Sequence, residues 1–237
     1  MHEELARRID SLDWPALTTQ INGRGFARTG LLLSAGEAAD LAALYDREEL
    51  FRRIIVMQRH GYGAGRYRYF DYPLPDAVQE LRTAFYRHLA PIAQSWAEAL
   101  GLEQRYPETL EAYLALCHAA GQTKATPLVL RYGPGDYNRL HQDLYGALSF
   151  PIQAVFLLSD PAGDFEGGEL VLSESRARMQ SRAQVLRPAL GEAVLFANSL
   201  FPVPGRRGAV RAQLRHGVSD LTKGERTTLG LIFHDAA

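Results

Sequence analysis

The sequence predicts an α+β fold: a jelly-roll, or double-stranded β-helix, core with helices flanking it on the N-terminal side. Three observations lead there. From about residue 127 the chain breaks into short β-rich runs at roughly ten-residue spacing, the texture of a sandwich or jelly roll. Before that point apolar residues recur at intervals of three and four, the helical period. The 237 residues are 46% hydrophobic, which is enough to build a substantial core. We expect one domain over 1–237, with 1–126 a helical extension that includes a β-hairpin or lid and 127–237 the jelly-roll core.

Ser34-Ala-Gly-Glu37 has the form of a capping box and opens the helical stretch EAADLAALY. RRIIVMQ and GRYRYFDY then read as two strands separated by HGYGAG. PDAVQELRTAFYRHLAPIAQSWAEAL and TLEAYLALCHAAG return to the helical period. The runs that follow are PLVLRY, YNRLHQD, IQAVFLLSD, GELVLS, AQVLR, EAVLFAN, RAQLRHGVS and RTTLGLIFH, punctuated by Gly, Pro, Asp and Ser.

Composition narrows the function classes. The opening MHEELARRIDSLDW carries charges of both signs and lacks the apolar stretch of a secretory leader, and no later run approaches the ~18 apolar residues of a membrane span. The single cysteine, Cys117, cannot form an intramolecular disulfide, so a cytoplasmic protein with no membrane partner is expected. A net charge of −1 provides no global attraction to nucleic acid. The charge is uneven, however: residues 1–50 hold five basic and nine acidic side chains, whereas residues 51–72 hold five basic and one acidic.

The stretch RYGPGDYNRLHQDLYG, Arg131 to Gly146, carries the first chemical signal. On a strand residues i and i+2 share a face, so His141 and Asp143 can reach one ion while Gln142 points away. His216 in QLRHGVSD is the best-placed third ligand. Two His and one carboxylate leave coordination positions open, as in non-haem Fe(II) oxygenases. A catalytic Zn hydrolase could use the same set, and the bland alternative is a surface His-Asp hydrogen bond.

Arg226 lies ten residues after His216, with the turn-like SDLTKG between them, so a hairpin would make the two near cross-strand neighbours. A guanidinium fork there can grip a carboxylate by two hydrogen bonds at any working pH. Thr228, on the same strand face, and Tyr132 can each add one more. As plain structure, Arg226 would be a solvated hairpin charge and Tyr132 core packing.

RHGYGAGRYRYFDY interleaves arginines with aromatic rings, the chemistry that phosphates and unstacked bases require. It makes Arg66, Tyr67 and Arg68 candidate substrate contacts, on a lid over the metal or on an ordinary strand pair with Arg outward and Tyr inward. Tyr145, just past the H-x-D, can line the same pocket. SRARMQSR supplies Arg178 and Arg182 as a second basic loop, or a solvated charge run. His60, His88, His118 and His234 have no partner at ligand spacing and read as structural.

With these residues assembled, the chain from about Leu128 onward resembles the Fe(II)/2-oxoglutarate-dependent dioxygenase superfamily. The ten-residue step from His216 to Arg226, and FEGGELVLSE with GEAVLFAN, are similar to the prolyl-hydroxylase branch; the R-Y-x-P-G-x-x-x-x-L-H-Q-D segment looks like AlkB-type nucleic-acid dealkylases. The set LHQDLYG, FEGGE, MQSR, LRHGVS and TLGLIFHD resembles a bacterial oxygenase family inferred to act on damaged nucleic acid. The resemblance implies Fe(II) on His141, Asp143 and His216, 2-oxoglutarate held by Arg226, Thr228 and Tyr132, and O2 as the oxidant. It implies hydroxylation of a C–H bond, on an alkylated base in single-stranded or flipped-out nucleic acid. The alternatives are a peptide, prolyl or small-metabolite substrate, or a jelly roll that binds without turnover. Two positions depart from the AlkB pattern: Leu130 stands where an Asn helps hold the co-substrate, and Ile232 where a second Arg is expected. The oligomeric state is not readable.

Overall fold

The structure, a computed structural model, describes residues 2–206 and 208–237. Two helices, α1 (His2–Asp10) and α2 (Trp14–Arg24), lead into strand β1 (Phe26–Leu31) and helix α3 (Ala35–Ala43). Strands β2 (Phe51–Val56), β3 (Gly63–Ala64) and β4 (Arg66–Phe70) precede the long helix α4 (Asp76–Leu100) and α5 (Leu110–Ala119). Then come β5 (Leu128–Tyr132), β6 (Tyr137–His141), β7 (Ile152–Leu157), β8 (Phe165–Gly167), β9 (Leu170–Arg176) and β10 (Arg182–Leu186). The last five are β11 (Glu192–Ala197), β12 (Leu200–Gly205), β13 (Gly208–Val218), β14 (Leu221–Gly224) and β15 (Arg226–Leu231).

The helices start where the local chemistry says they should. Ser34 and Glu37 close a reciprocal capping box on α3, with Glu37 N–H donating to Ser34 Oγ at 3.2 Å and Ser34 N–H donating to Glu37 Oε2 at 2.8 Å. Thr109 caps α5 by accepting from Ala112 N–H. Along α4 the buried residues Val78, Leu81, Phe85, Leu89, Ile92 and Trp96 follow the three-four spacing of one helical stripe. That stripe packs on the β-core: Phe85 meets Phe156 of β7 edge-on with centroids 5.8 Å apart, and Trp96 meets Phe201 of β12 at 5.9 Å. No helix of the described residues is long and apolar enough to cross a membrane.

Two antiparallel sheets form the jelly-roll core expected from the strand texture. The larger has the order β1-β11-β7-β15-β5-β4-β2; the smaller runs β10-β9-β13-β6-β3, with β12 also pairing β13. β14 and β8 make a separate two-stranded ladder. One buried apolar cluster continues from Leu5 in α1 to Phe233 beyond β15.

Three features differ from the sequence reading. First, RRIIVMQ and GRYRYFDY do not stand apart as a hairpin; β4 pairs β5, and both strands widen the larger sheet. Second, FARTGL, unassigned from sequence, is β1 and closes that sheet's other edge against β11. Third, His216 and Arg226 are not hairpin neighbours. The intervening Leu221–Gly224 pairs with Phe165–Gly167, and the chain passes from β13 in the smaller sheet to β15 in the larger one. SDLTKG has the composition of a hairpin turn, but a crossover between sheets uses the same turn-forming residues.

Candidate active site

The site is built where the two sheets face each other. β13 is long enough to pair β12 along its first half and β6 along its second, and in the second half His216 lies directly opposite His141. Their rings come within 4.1 Å, centroid to centroid. Gly217 permits this closeness, because a Cβ there would meet the Asn138 carbonyl oxygen at 2.6 Å. Asp143 follows β6, and its backbone is gripped by Asn198: Asp143 N–H donates to Asn198 Oδ1 at 2.9 Å, and Asn198 Nδ2 donates back to the Asp143 carbonyl at 2.5 Å.

The potential ligand atoms of His141, Asp143 and His216 all lie within 4.8 Å of one another. His216 Nε2 is 3.3 Å from Asp143 Oδ2, and His141 Nε2 is 3.6 Å from Oδ1. The Arg139 carbonyl, 2.7 Å from His141 Nδ1, accepts a hydrogen bond from that nitrogen, which leaves Nε2 as the one available to a cation. Burial pushes the Asp143 carboxyl up, but the hydrogen bond with His216 and the electrostatic pull of the two adjacent imidazoles outweigh it and hold the group well below the usual carboxylate range. Burial, with His141 beside it, lowers the His216 imidazole, which favours the uncharged form that a metal binds. A carboxylate and two imidazoles at these separations fit a divalent transition metal.

A cavity of about 580 Å³ holds all three residues and continues past them to Arg226, Thr228 and Tyr132. Arg226 and Tyr132 are directly paired across β15 and β5, so both side chains rise from one face of the larger sheet. Arg226 is 2% exposed, and its Nη1 is buried with no hydrogen-bond partner; the hydroxyl of fully buried Tyr132 is in the same condition. Gln153 of β7 adds a buried, unpartnered Oε1, with its Nε2 3.2 Å from His216 Nε2. Orphaned polar groups around one cavity are costly unless something polar enters it, and a buried cation calls for an anion. The residues present therefore fit a carboxylate ligand beside the metal.

The other candidates separate. Tyr67 and Tyr145 line the cavity, as does Tyr69. Arg68 does not: strand alternation turns it to the opposite face, where its guanidinium lies 4.5 Å from the Tyr45 ring centroid and 3.7 Å from Glu48. Arg66 is exposed at the start of β4 and does not line the cavity. Arg178 and Arg182 sit on the β9–β10 hairpin, at the edge of the smaller sheet farthest from β6, and do not line it either. The mouth is instead surrounded by Arg53, His60, Tyr62, Arg139, Leu140 and Leu144, of which only Tyr62 belongs to the ring set of the RHGYGAGRYRYFDY stretch. His60 and Tyr62 stack with centroids 5.3 Å apart, and Tyr62 is 49% exposed. Gln153 had a usable signal, a polar residue inside the apolar run IQAVFLL.

Comparison with known proteins agrees with this geometry. Solved structures with the same fold include a prolyl-4-hydroxylase of Pseudomonas putida, 16% identical with a TM-score of 0.55, covering 94% of this chain and 99% of that one. A 2OG-Fe(II) oxygenase family oxidoreductase of Burkholderia pseudomallei is likewise 16% identical, with a TM-score of 0.57 over 96% of this chain and 94% of that one. An uncharacterized protein of Mycobacterium tuberculosis, found in strains CDC 1551 and H37Rv, is 47% identical over 189 residues, which is 78% of this chain and 81% of the relative. Residues 65–236 match the Oxygenase-NA family model, described as an oxygenase catalysing oxidative methylation of damaged DNA. Because that match spans every strand from β4 to β15, and with it the His-Asp-His cluster and Arg226, the protein belongs to the Oxygenase-NA family of oxygenases.

Proposed function

We propose that this oxygenase uses Fe(II), 2-oxoglutarate and O2 to hydroxylate N-alkyl groups on bases of damaged nucleic acid. Arg226 carries the reading of the co-substrate: a buried guanidinium in the cavity of the triad, its Nη1 without a hydrogen-bond partner, has the charge and shape to take the far carboxylate of a dicarboxylic keto acid. His141, Asp143 and His216 hold the metal, Tyr132 donates its free hydroxyl to the same carboxylate, and Thr228 lines the wall beside them. Iron with its co-substrates supplies the oxidising power that inserts one oxygen atom into a C–H bond, while the other ends in succinate as CO2 is released. The aromatic walls, Tyr67, Tyr69 and Tyr145, exclude water and present flat faces to a planar guest. Hydroxylation of an N-methyl group yields N–CH2OH, which releases formaldehyde and returns the N–H base.

The family description and the cavity mouth support a nucleic-acid substrate. Arg53 and Arg139 flank the opening without a carboxylate partner among the described residues, and the exposed His60–Tyr62 stack stands beside them. Cations for phosphate and rings for bases suit a single strand or a flipped nucleotide better than a duplex. Exposed Leu140 and Leu144 on the same mouth favour a second reading, a peptide substrate. Formaldehyde release from oligonucleotides carrying 1-methyladenine or 3-methylcytosine, with Fe(II) and 2-oxoglutarate, decides between them. We expect release, with binding that weakens as salt rises, the slope falling by roughly 0.7 on removing Arg53 or Arg139. No release from any methylated oligonucleotide, with succinate formed on peptides, would transfer the protein to the hydroxylases of the second reading.

A further inference from the structure

Nothing within the triad decides how Asp143 binds its ion. Both carboxylate oxygens are in reach of an imidazole, Oδ2 at 3.3 Å from His216 and Oδ1 at 3.6 Å from His141, so the group could span the ion with two oxygens or touch it with one. The difference matters, because a carboxylate that uses both oxygens takes up a position the co-substrates need. Outside the triad the two oxygens are not equivalent. Oδ1 accepts a hydrogen bond from the Tyr145 hydroxyl at 2.5 Å, and the same Tyr145 oxygen accepts one from the Tyr69 hydroxyl at 2.8 Å.

The direction of this chain follows from its end. An ionised carboxylate can only accept, so Tyr145 spends its one proton on Asp143 and its oxygen is left to accept from Tyr69. Tyr69 is itself held in place, with the Arg52 guanidinium 4.7 Å from its ring centroid and the Tyr67 ring edge-on at 5.3 Å. Two phenols thus run from β4, in the larger sheet, to the Asp143 carboxylate, beside the smaller.

Resting on the reading of the triad as a metal site, we propose that Tyr145 is a positioning residue for the metal. It occupies Oδ1, so that Asp143 binds through Oδ2 alone and coordination positions stay open, and Tyr69 fixes Tyr145 in that role.

Co(II) titration of the full chain tests this, because Co(II) reports both affinity and coordination number in its visible absorption without turnover. Tyr145→Phe should weaken Co(II) binding about 10–100-fold and change the shape and intensity of the absorption bands. Tyr69→Phe should shift both in the same direction by less. If the hydroxyl only anchors the loop after β6, Tyr145→Phe will lower the melting temperature of the metal-free protein and leave Co(II) affinity and spectrum as in wild type; that result overturns the proposal. Should Tyr145→Phe fail to fold, Tyr69→Phe decides alone, with an unchanged spectrum and affinity counting against the role. Failure of the underlying metal reading looks different: Asp143→Ala and wild type would then take up Co(II) equally well.

Discussion

In the proposed reading Arg226 is the residue on which co-substrate binding turns, since its Nη1 is buried without a hydrogen-bond partner and burial lowers its pKa, with Tyr132 and the Glu169 charge only partly opposing this. Arg226→Ala should reduce 2-oxoglutarate affinity by about 2 to 5 kcal/mol, as truncation strands a carboxylate in a partly desolvated pocket. Arg226→Lys should recover only part, having one ammonium in place of a fork. Calorimetric titration of the Co(II)-loaded variants with 2-oxoglutarate measures both, and unchanged affinity in the two would place the clamp elsewhere. At this scale the sequence is informative where local geometry decides. The two-residue spacing of His141 and Asp143 did mark a pair that the structure brings together with His216, although Asp143 lies just past the end of β6 and not on the strand. Strand alternation separates Tyr67 and Tyr69 from Arg66 and Arg68, but it cannot say which face meets the cavity, and here the rings do. The grip of Asn198 on Asp143 spans 55 positions and has no local signature at all.

Among the elements, the antiparallel pairing of β13 with β6 brings the candidate metal ligands together, and Gly217 is where that pairing is tight against backbone. A Cβ at that residue meets backbone, the Asn138 carbonyl oxygen, and backbone cannot swing aside as a flexible side chain could. Gly217→Val should push β6 from β13, cost about 1 to 3 kcal/mol of stability, and weaken Co(II) binding at least tenfold by separating His141 from His216. Urea unfolding and Co(II) titration check the two effects; a variant with normal metal affinity would show that the strands have room to spare. Strands of the core were readable because their apolar runs are continuous or alternate cleanly. β12 was not, since LFPVPG carries prolines that argue against a strand; it is tolerated because β12 pairs on one side only, with β13. The turn after β13 was misassigned because turn composition records that the chain reverses, not which sheet it rejoins.

Across the whole molecule, a buried polar network after β15 joins helices to sheets. Arg82 of α4, fully buried, donates to the Ile232 carbonyl and pairs with Asp235 at 2.9 Å, while Gln122, just past α5, donates to the Asp235 carbonyl at 2.6 Å. His234 lies between these groups, and its Nδ1 accepts from the Phe150 N–H at 3.1 Å. The ring's one proton is therefore on Nε2, and a second proton would have to displace the Phe150 bond at a fully buried position. Burial accordingly lowers the His234 pKa to about 4, the Asp143 charge only partly opposing this. In the unfolded chain the ring returns to about 6.5. Above that value neither state takes the proton and His234 adds no pH dependence. Between 6.5 and 4 only the unfolded state takes it up, so stability falls as pH falls, by up to about 1.4 kcal/mol per pH unit and about 3 kcal/mol in all. Below 4 both states are protonated and the loss levels off. His234→Asn keeps an acceptor for Phe150 but cannot titrate, so its urea-unfolding free energy, measured without metal, should fall less steeply than wild type between pH 6.5 and 4. The two curves should run parallel above pH 7. Equal slopes through the acid range would mean that His234 is protonated as readily in the folded protein as in the unfolded chain, and that the polar network opens to water well before the core does.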